Sequence, residues 1–301
     1  MYYKVYFILA HKNPNQILEL VSLLDDGKSF FFIHIDKKVN QDKFQNLSKN
    51  LKVYLIKKRV ECEWGKFSLV RATLNAMVEV NEFMKLNYFM DTYHFIMLSG
   101  EDLPLKANHE IHSFLETNQS ISFMHHWQLP YEKWWGGGFF RLENLFLFGY
   151  KKNKKLNYWI NNIFKKVGMA FLSPLNRFKK QYPQFTIYGH SQWMILNHDL
   201  IKFVIKISND NSKFNSIFKY TLASDELYFA TLILNYDIQQ QFSITNISKH
   251  LIHFSKAEPN PAYLTVEELE NNIKCDFLFA RKFDLSVNQS AINFIKETII
   301  K

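Results

Sequence analysis

The sequence predicts an α/β fold with a mostly parallel sheet covered by helices. Three observations predict it. Through the first 125 residues, short apolar runs alternate with segments of helical spacing, as in parallel strands joined by crossover helices. Apolar residues make up 47% of the 301 positions, ample for a buried sheet. The apolar runs end in polar residues, and sheets of this kind bind ligands at the carboxyl ends of their strands. With only 9 Gly and 7 Pro, long flexible linkers are not expected, so the chain reads as a single domain over residues 1–301.

The elements follow in order. Residues 3–10 form a short apolar run that predicts a buried strand, broken by His11-Lys12-Asn13-Pro14. Residues 16–24 place Ile17, Leu20, Val21 and Leu24 on one helical face. Residues 30–35 form a second strand ending at Asp36, and residues 53–56 a third. Residues 68–84 form a long helix with Leu69, Ala72, Ala76 and Val80 available for burial. Residues 93–98 form a fourth strand, ending in Ser99-Gly100-Glu101-Asp102. The strand ends Ala10-His11, Asp36, Glu61 to Trp64, and Glu101-Asp102 hold the candidate ligand residues of this half.

A helix over 108–116 and a strand over 121–124 come next. The irregular stretch 128–138 holds Glu132, Trp134, Trp135 and three glycines. No GK[ST] follows and no GxGxxG opens a helix, so a phosphate loop is a poor reading. The adjacent tryptophans either stack on a sugar face or pack the turn. Residues 187–196 turn into a strand, 199–207 form a helix, and 214–220 lead into Ser224-Asp225-Glu226. Ser224 or Asp225 can cap the helix that follows, which carries Leu227, Ala230, Thr231 and Leu234. Two readings of the carboxylate pair stay open. It is either an acidic first turn, which a helix N-terminus favours, or a cap plus a general base facing a cleft. The tail holds residues 251–254, a Pro-bearing loop at 258–261, a helix over 266–273, and Leu278-Phe279-Ala280-Arg281-Lys282-Phe283-Asp284.

The net charge of +9 is unevenly placed. Residues 151–180 hold nine Lys or Arg and no Asp or Glu, as much charge as the whole excess. A positive excess clustered in one segment, with the rest of the chain near balance, argues against a nucleic-acid binder. The segment predicts basic amphipathic helices with Leu156, Trp159, Ile160, Ile163, Phe164 and Val167 on the apolar side. Such a helix either lies at an anionic membrane surface or is an ordinary surface helix burying its apolar face. Cys62 and Cys275 are the only cysteines, too few for a disulfide framework or a Cys-type zinc site. Residues 1–10 carry Lys4 and read as a strand, not a signal peptide, and no run of about 18 apolar residues marks a transmembrane helix. A cytoplasmic location is expected, peripheral at the inner membrane face if 151–180 binds lipid.

Seven pieces of the chain carry a resemblance. They are Ile8-Leu9-Ala10-His11-Lys12-Asn13-Pro14, Ile33-His34-Ile35-Asp36-Lys37-Lys38, Trp64-Gly65-Lys66-Phe67-Ser68, Leu98-Ser99-Gly100-Glu101-Asp102-Leu103-Pro104, Gly189-His190-Ser191-Gln192-Trp193, Ser224-Asp225-Glu226 and Leu278-Phe279-Ala280-Arg281-Lys282-Phe283-Asp284. In this order they resemble the core-2/I-branching β-1,6-N-acetylglucosaminyltransferases and peptide O-xylosyltransferases, glycosyltransferase family 14, and most of all its short bacterial members. The resemblance implies a GT-A-like fold, Rossmann-like, with a nucleotide-binding half over 1–125 and an acceptor side over 126–301 that includes a basic helical insertion at about 151–185. It implies inverting transfer from a UDP-sugar, with N-acetylglucosamine or xylose as the sugar, to a hydroxyl of a glycan or lipid-linked glycan in bacterial surface polysaccharide synthesis. It also implies no cofactor and no divalent metal, the diphosphate being neutralised by basic side chains.

Carried over residue by residue, Glu226 matches the catalytic base, Lys282 the diphosphate-binding lysine, and Asp36 a carboxylate near the uridine. One position departs from the family pattern. His250 stands where a second diphosphate-binding arginine is usual, and Lys249 or Arg281 is the expected substitute. Glu132, Trp134, Trp135 and Trp193 are acceptor-side candidates by position, and Asp225 is the rival base. The missing arginine leaves a second reading open, a catalytically inactive sugar- or nucleotide-binding relative.

Overall fold

The computed structural model describes residues 1–237, 239–254 and 261–299. Most of the expected Pro-bearing loop at 258–261 lies outside the described residues. The elements that build the fold are β1 (Tyr2–Ala10), α1 (Pro14–Leu24), β2 (Ser29–Ile35), β3 (Val53–Leu55), α2 (Phe67–Asn87), β4 (Thr92–Ser99), β5 (Asp102–Pro104), α3 (Asn108–Thr117), β6 (Ile121–Phe123) and β7 (His126–Gln128). After these come α4 (Phe140–Glu143), α5 (Tyr150–Lys166), α6 (Pro174–Gln181), β8 (Tyr188–His190), β9 (Ile195–Asn197), α7 (His198–Asp210), α8 (Ser212–Phe218) and α9 (Tyr228–Tyr236). The chain ends with β10 (Ser243–Thr245), β11 (His250–Ile252), α10 (Val266–Asn272), β12 (Phe279–Arg281) and α11 (Gln289–Phe294).

Among the described residues, seven strands form one sheet in the order β10-β6-β9-β4-β1-β2-β3. β1 runs parallel to both β2 and β4, and β2 runs parallel to β3. Only β9 is reversed, antiparallel to β4 and β6. The sheet is therefore mostly parallel and flanked by helices, as a GT-A-like fold requires. Its central strands are apolar on both faces because both faces are covered. Val5 and Phe7 of β1 point into a core with Met77 and Val80 of α2 and Val204 of α7. Tyr6 and Ile8 point into the opposite core with Leu20 of α1 and Ile111 of α3.

Register brings the strand ends together. Ala10 pairs with Ile35, and Leu9 with Ser99, so β1, β2 and β4 finish at one edge. Because β9 is reversed, with Ile195 opposite Ile96 and Asn197 opposite His94, the residues just before it reach that same edge. A second sheet, β11-β12-β5, sets Arg281 directly across from Asp102.

The expectation of a helix capped at Ser224 or Asp225 needs correction. Ala223 takes a left-handed φ of 50°, Ser224–Glu226 close a single 3₁₀ turn without a side-chain cap, and α9 begins only at Tyr228. The carboxylate pair sits on a turn before the helix, so the helix end does not account for it.

The ribbon β7–β8 pairs Gln128 with Tyr188 and His126 with His190, closing the intervening helices into one excursion. Gly189 lies at its middle. A Cβ there would come 2.4 Å from Trp127 Nε1 and 2.9 Å from the Trp134 ring. Overpacking of this kind costs about 1–3 kcal/mol. Gly189→Ala is expected to lower Tm by a few degrees per kcal/mol in a chain of this size. An unchanged Tm would show that the tryptophans yield freely.

Candidate active site

At the shared strand ends a cleft of about 460 Å³ opens, with Ala10, His11, Asp36, Glu101, Trp193 and Arg281 among its walls. Six of the residues expected at a ligand site therefore meet in one place. Lys12, Lys38, Cys62, Glu63, Ser99 and Gln192 add to the polar lining. Asp36 sits just past β2, where its Oδ1 accepts the Lys38 backbone N–H at 2.9 Å.

The charge of the cleft is organised around Glu101. Lys12 Nζ lies 2.7 Å from its carboxylate, Arg281 Nη2 3.2 Å and Lys282 Nζ 3.4 Å. Burial pushes Glu101 up, but the Lys12 hydrogen bond and the charges of Arg281 and Lys282 outweigh it and hold its pKa below the ordinary value. Lys12 is shared with Asp284 at 2.7 Å. Arg281 donates to Ser99 and, at 2.9 Å, to Asp102. Among the described residues, Lys282 has its longer contact to Glu101 and the Tyr263 ring at 4.8 Å. Of the three cations it is the one least committed to the protein.

Several expected residues lie elsewhere, for clear physical reasons. Asp102 was expected at the sugar, but it is fully buried and accepts from Arg281 and the Ser99 backbone N–H, so it positions Arg281. His250, the residue at the arginine position, was one of the candidates at the diphosphate. It is buried, stacked 5.6 Å from Trp193, and burial together with the Arg281 charge pushes its pKa down to about 3. At pH 7 it is neutral and cannot offset phosphate charge. Lys249 is also buried, its ammonium 3.3 Å from the Asp276 carbonyl and 4.5 Å over the Phe114 ring. Among the offered substitutes, Arg281 alone lines the cleft; its guanidinium lies 4.7 Å over Trp193. Glu61 and Glu132 are exposed and line no part of the cleft.

Glu226 does not line the cleft either. Its turn abuts the cleft wall, where the Ala223 N–H donates to the Gly65 carbonyl at 2.8 Å. Glu226 is paired with Arg141, and the Arg141 guanidinium lies 3.6 Å over the Trp134 ring. Trp134 also meets Trp127 edge to face at 5.0 Å, so the packed-turn reading describes it well. Trp135 differs, being 76% exposed with Phe140 against one edge. Gly138, at φ +89°, lets the turn close, since a Cβ would stand 2.6 Å from the Trp134 ring. Asp225 is buried, and its Oδ1 has no hydrogen-bond partner. Burial and the Glu226 charge push its pKa up to about 7. The Asp225 charge reaches the cleft: after burial, the charges of Asp36 and Asp225 help push the Cys62 thiol up to about 12.

Comparison with known proteins then decides the family, since the model of the Core-2/I-Branching enzyme family matches residues 5–273. The chain belongs to the Core-2/I-Branching enzyme family. It is similar to a xylosyltransferase of Ciona intestinalis, 24% identical over 311 residues covering 96% of this chain and 33% of the relative. It is likewise similar to xylosyltransferase 2 of Mus musculus, at 22% over 320 residues with 96% and 33% covered. Xylosyltransferase 1 of Rattus norvegicus is 24% identical over 311 residues, with 95% and 34% covered. The chain spans about a third of the length of these curated relatives.

In this Core-2/I-Branching family chain, sequence reasoning passed over Lys12, Lys38, Ser99 and Arg141. The first three lie inside or beside strand-end motifs, and a search for every cation at those ends would have found Lys12 and Lys38. Arg141 carried no local signal, because its partner Glu226 is 85 residues away.

Asp225 supplies a pH test. Its folded-state pKa of about 7 exceeds the ordinary 3.8, so the folded protein holds an extra proton between about pH 4 and pH 7. Stability therefore falls as pH rises through that window. Asp225→Asn removes the term, so its Tm should gain on that of the unmodified protein from pH 5 to pH 8. A Tm difference that is flat with pH would reject the raised pKa.

Proposed function

We propose that this family member transfers a sugar, N-acetylglucosamine or xylose, from a UDP-sugar to a hydroxyl of a glycan acceptor, with inversion and without a divalent metal. The acceptor class proposed is a bacterial surface glycan or its lipid-linked precursor. The observation that carries this reading is the grouping of Arg281, Lys12 and Lys282 around Glu101 beside a cleft that also holds Asp36. Side-chain cations at strand ends suit a nucleoside diphosphate, and Asp36, in the same cleft, would meet the nucleoside end. Glu101 tethers the three cations, and a diphosphate would draw Lys282 away first because its hold is weakest.

In the reaction, the acceptor oxygen attacks the anomeric carbon opposite UDP. The carbon–oxygen bond to the β-phosphate breaks, and its electron pair leaves on UDP. The hydroxyl proton passes to the Glu226 carboxylate, which Arg141 orients. Charge grows on the departing phosphate, where Lys282 and Arg281 stabilise it as it develops. The exposed Trp135 ring offers a face for the acceptor sugar.

The test is UDP release and product formation in EDTA. Glu226→Gln is expected to lower turnover by about 10²–10⁴-fold with UDP binding intact, whereas Lys282→Ala should weaken UDP binding itself. Full turnover in Glu226→Gln would remove Glu226 as the base, and turnover abolished by EDTA would remove the cation-only reading. UDP binding without any transfer would favour the inactive relative.

A further inference from the structure

Helix α5 is packed the wrong way round for a surface helix. Its buried residues are polar. Asn157 Nδ2 donates to the Phe148 carbonyl at 3.0 Å and Asn161 Nδ2 to the Leu145 carbonyl at 2.8 Å, while Asn161 Oδ1 accepts the Leu145 N–H at 2.7 Å. Four of its apolar residues face solvent, while Ile160 and Phe164 are half-buried. Leu156, Trp159, Ile163 and Val167 recur every three or four residues, hence on one stripe, and are 41%, 64%, 37% and 59% exposed. A surface helix ordinarily buries that stripe and leaves asparagine outside. Phe171, 63% exposed, lies in the turn just beyond.

The same surface is basic. Lys155 and Lys166 are exposed next to the stripe, and the segment from 151 to 180 contains no carboxylate to offset its nine cations. We propose that α5 and the following turn form a docking face for an anionic lipid bilayer. An apolar stripe with a tryptophan, flanked by lysines, is suited to the boundary between headgroups and acyl chains. The one-sided charge complements an anionic surface and would be screened by salt. Among the described residues no helix is long and apolar enough to cross a membrane, so contact would be along the surface. Lipid binding does not depend on the sugar-transfer reading, because its readout is recovery with vesicles.

The test is flotation of the full chain with vesicles of phosphatidylglycerol and phosphatidylcholine, against phosphatidylcholine alone. Recovery on the anionic vesicles is expected to be roughly ten-fold higher or more, and to fall in high salt. Trp159→Glu with Ile163→Glu should abolish it at unchanged Tm, since both side chains already face water. If that pair lowers Tm, Lys155→Glu with Lys166→Glu decides, as neither lysine packs in the core. Equal recovery on neutral vesicles overturns the proposal, as does a stably folded variant that floats like the parent. So does a chain that sediments as a dimer, becomes monomeric in the Trp159→Glu and Ile163→Glu variant, and binds no lipid.

Discussion

Asp102 has no exposure to solvent, and its charge is answered by Arg281 from a strand 179 residues further along the chain. A buried carboxylate without its partner is strongly destabilising, of order 3–5 kcal/mol when one side of such a pair is removed. The β5–β12 pairing therefore does two things at once. It closes the second sheet, and it fixes a guanidinium at the carboxyl ends of β1 and β4. Trp193 under that guanidinium and Glu101 beside it owe their arrangement to the same contact. Lys282 follows Arg281 in the chain and reaches Glu101 as well, so one strand end delivers both cations.

The site has two parts with different electrostatic characters. Around Glu101, cations and carboxylates are closely interleaved, and the protein compensates its own charge until a ligand competes for it. At Ser224–Glu226, two adjacent carboxylates meet different surroundings. Glu226 is partly exposed and held by Arg141, while Asp225 is enclosed and its pKa rises toward neutrality. The loop at 62–65 links the two parts, and Cys62 feels charges from both sides.

The central sheet was legible because β1, β2 and β4 are mostly apolar and each runs into polar residues at its carboxyl end. The family motifs lie at those ends, so the cleft was legible too. What could not be read was whatever depends on distant partners or on which way an element turns. Periodicity told that α5 has an apolar stripe, but not that Asn157 and Asn161 would take the inside. The acidic pair read as a possible helix cap because local spacing allows it; the left-handed Ala223 that sets it on a separate turn leaves no pattern in sequence. His250 occupies an arginine position in the motif, yet burial makes it a neutral stacking partner of Trp193.

The β7–β8 ribbon joins the chain where it departs the sheet at Gln128 to where it returns at Tyr188. Everything between is tied off at its base, so the excursion leaves and rejoins the body of the fold at one place. Because Arg141 rides on that excursion and holds Glu226, any hinge at the foot of the ribbon would carry the carboxylate's partner along with it.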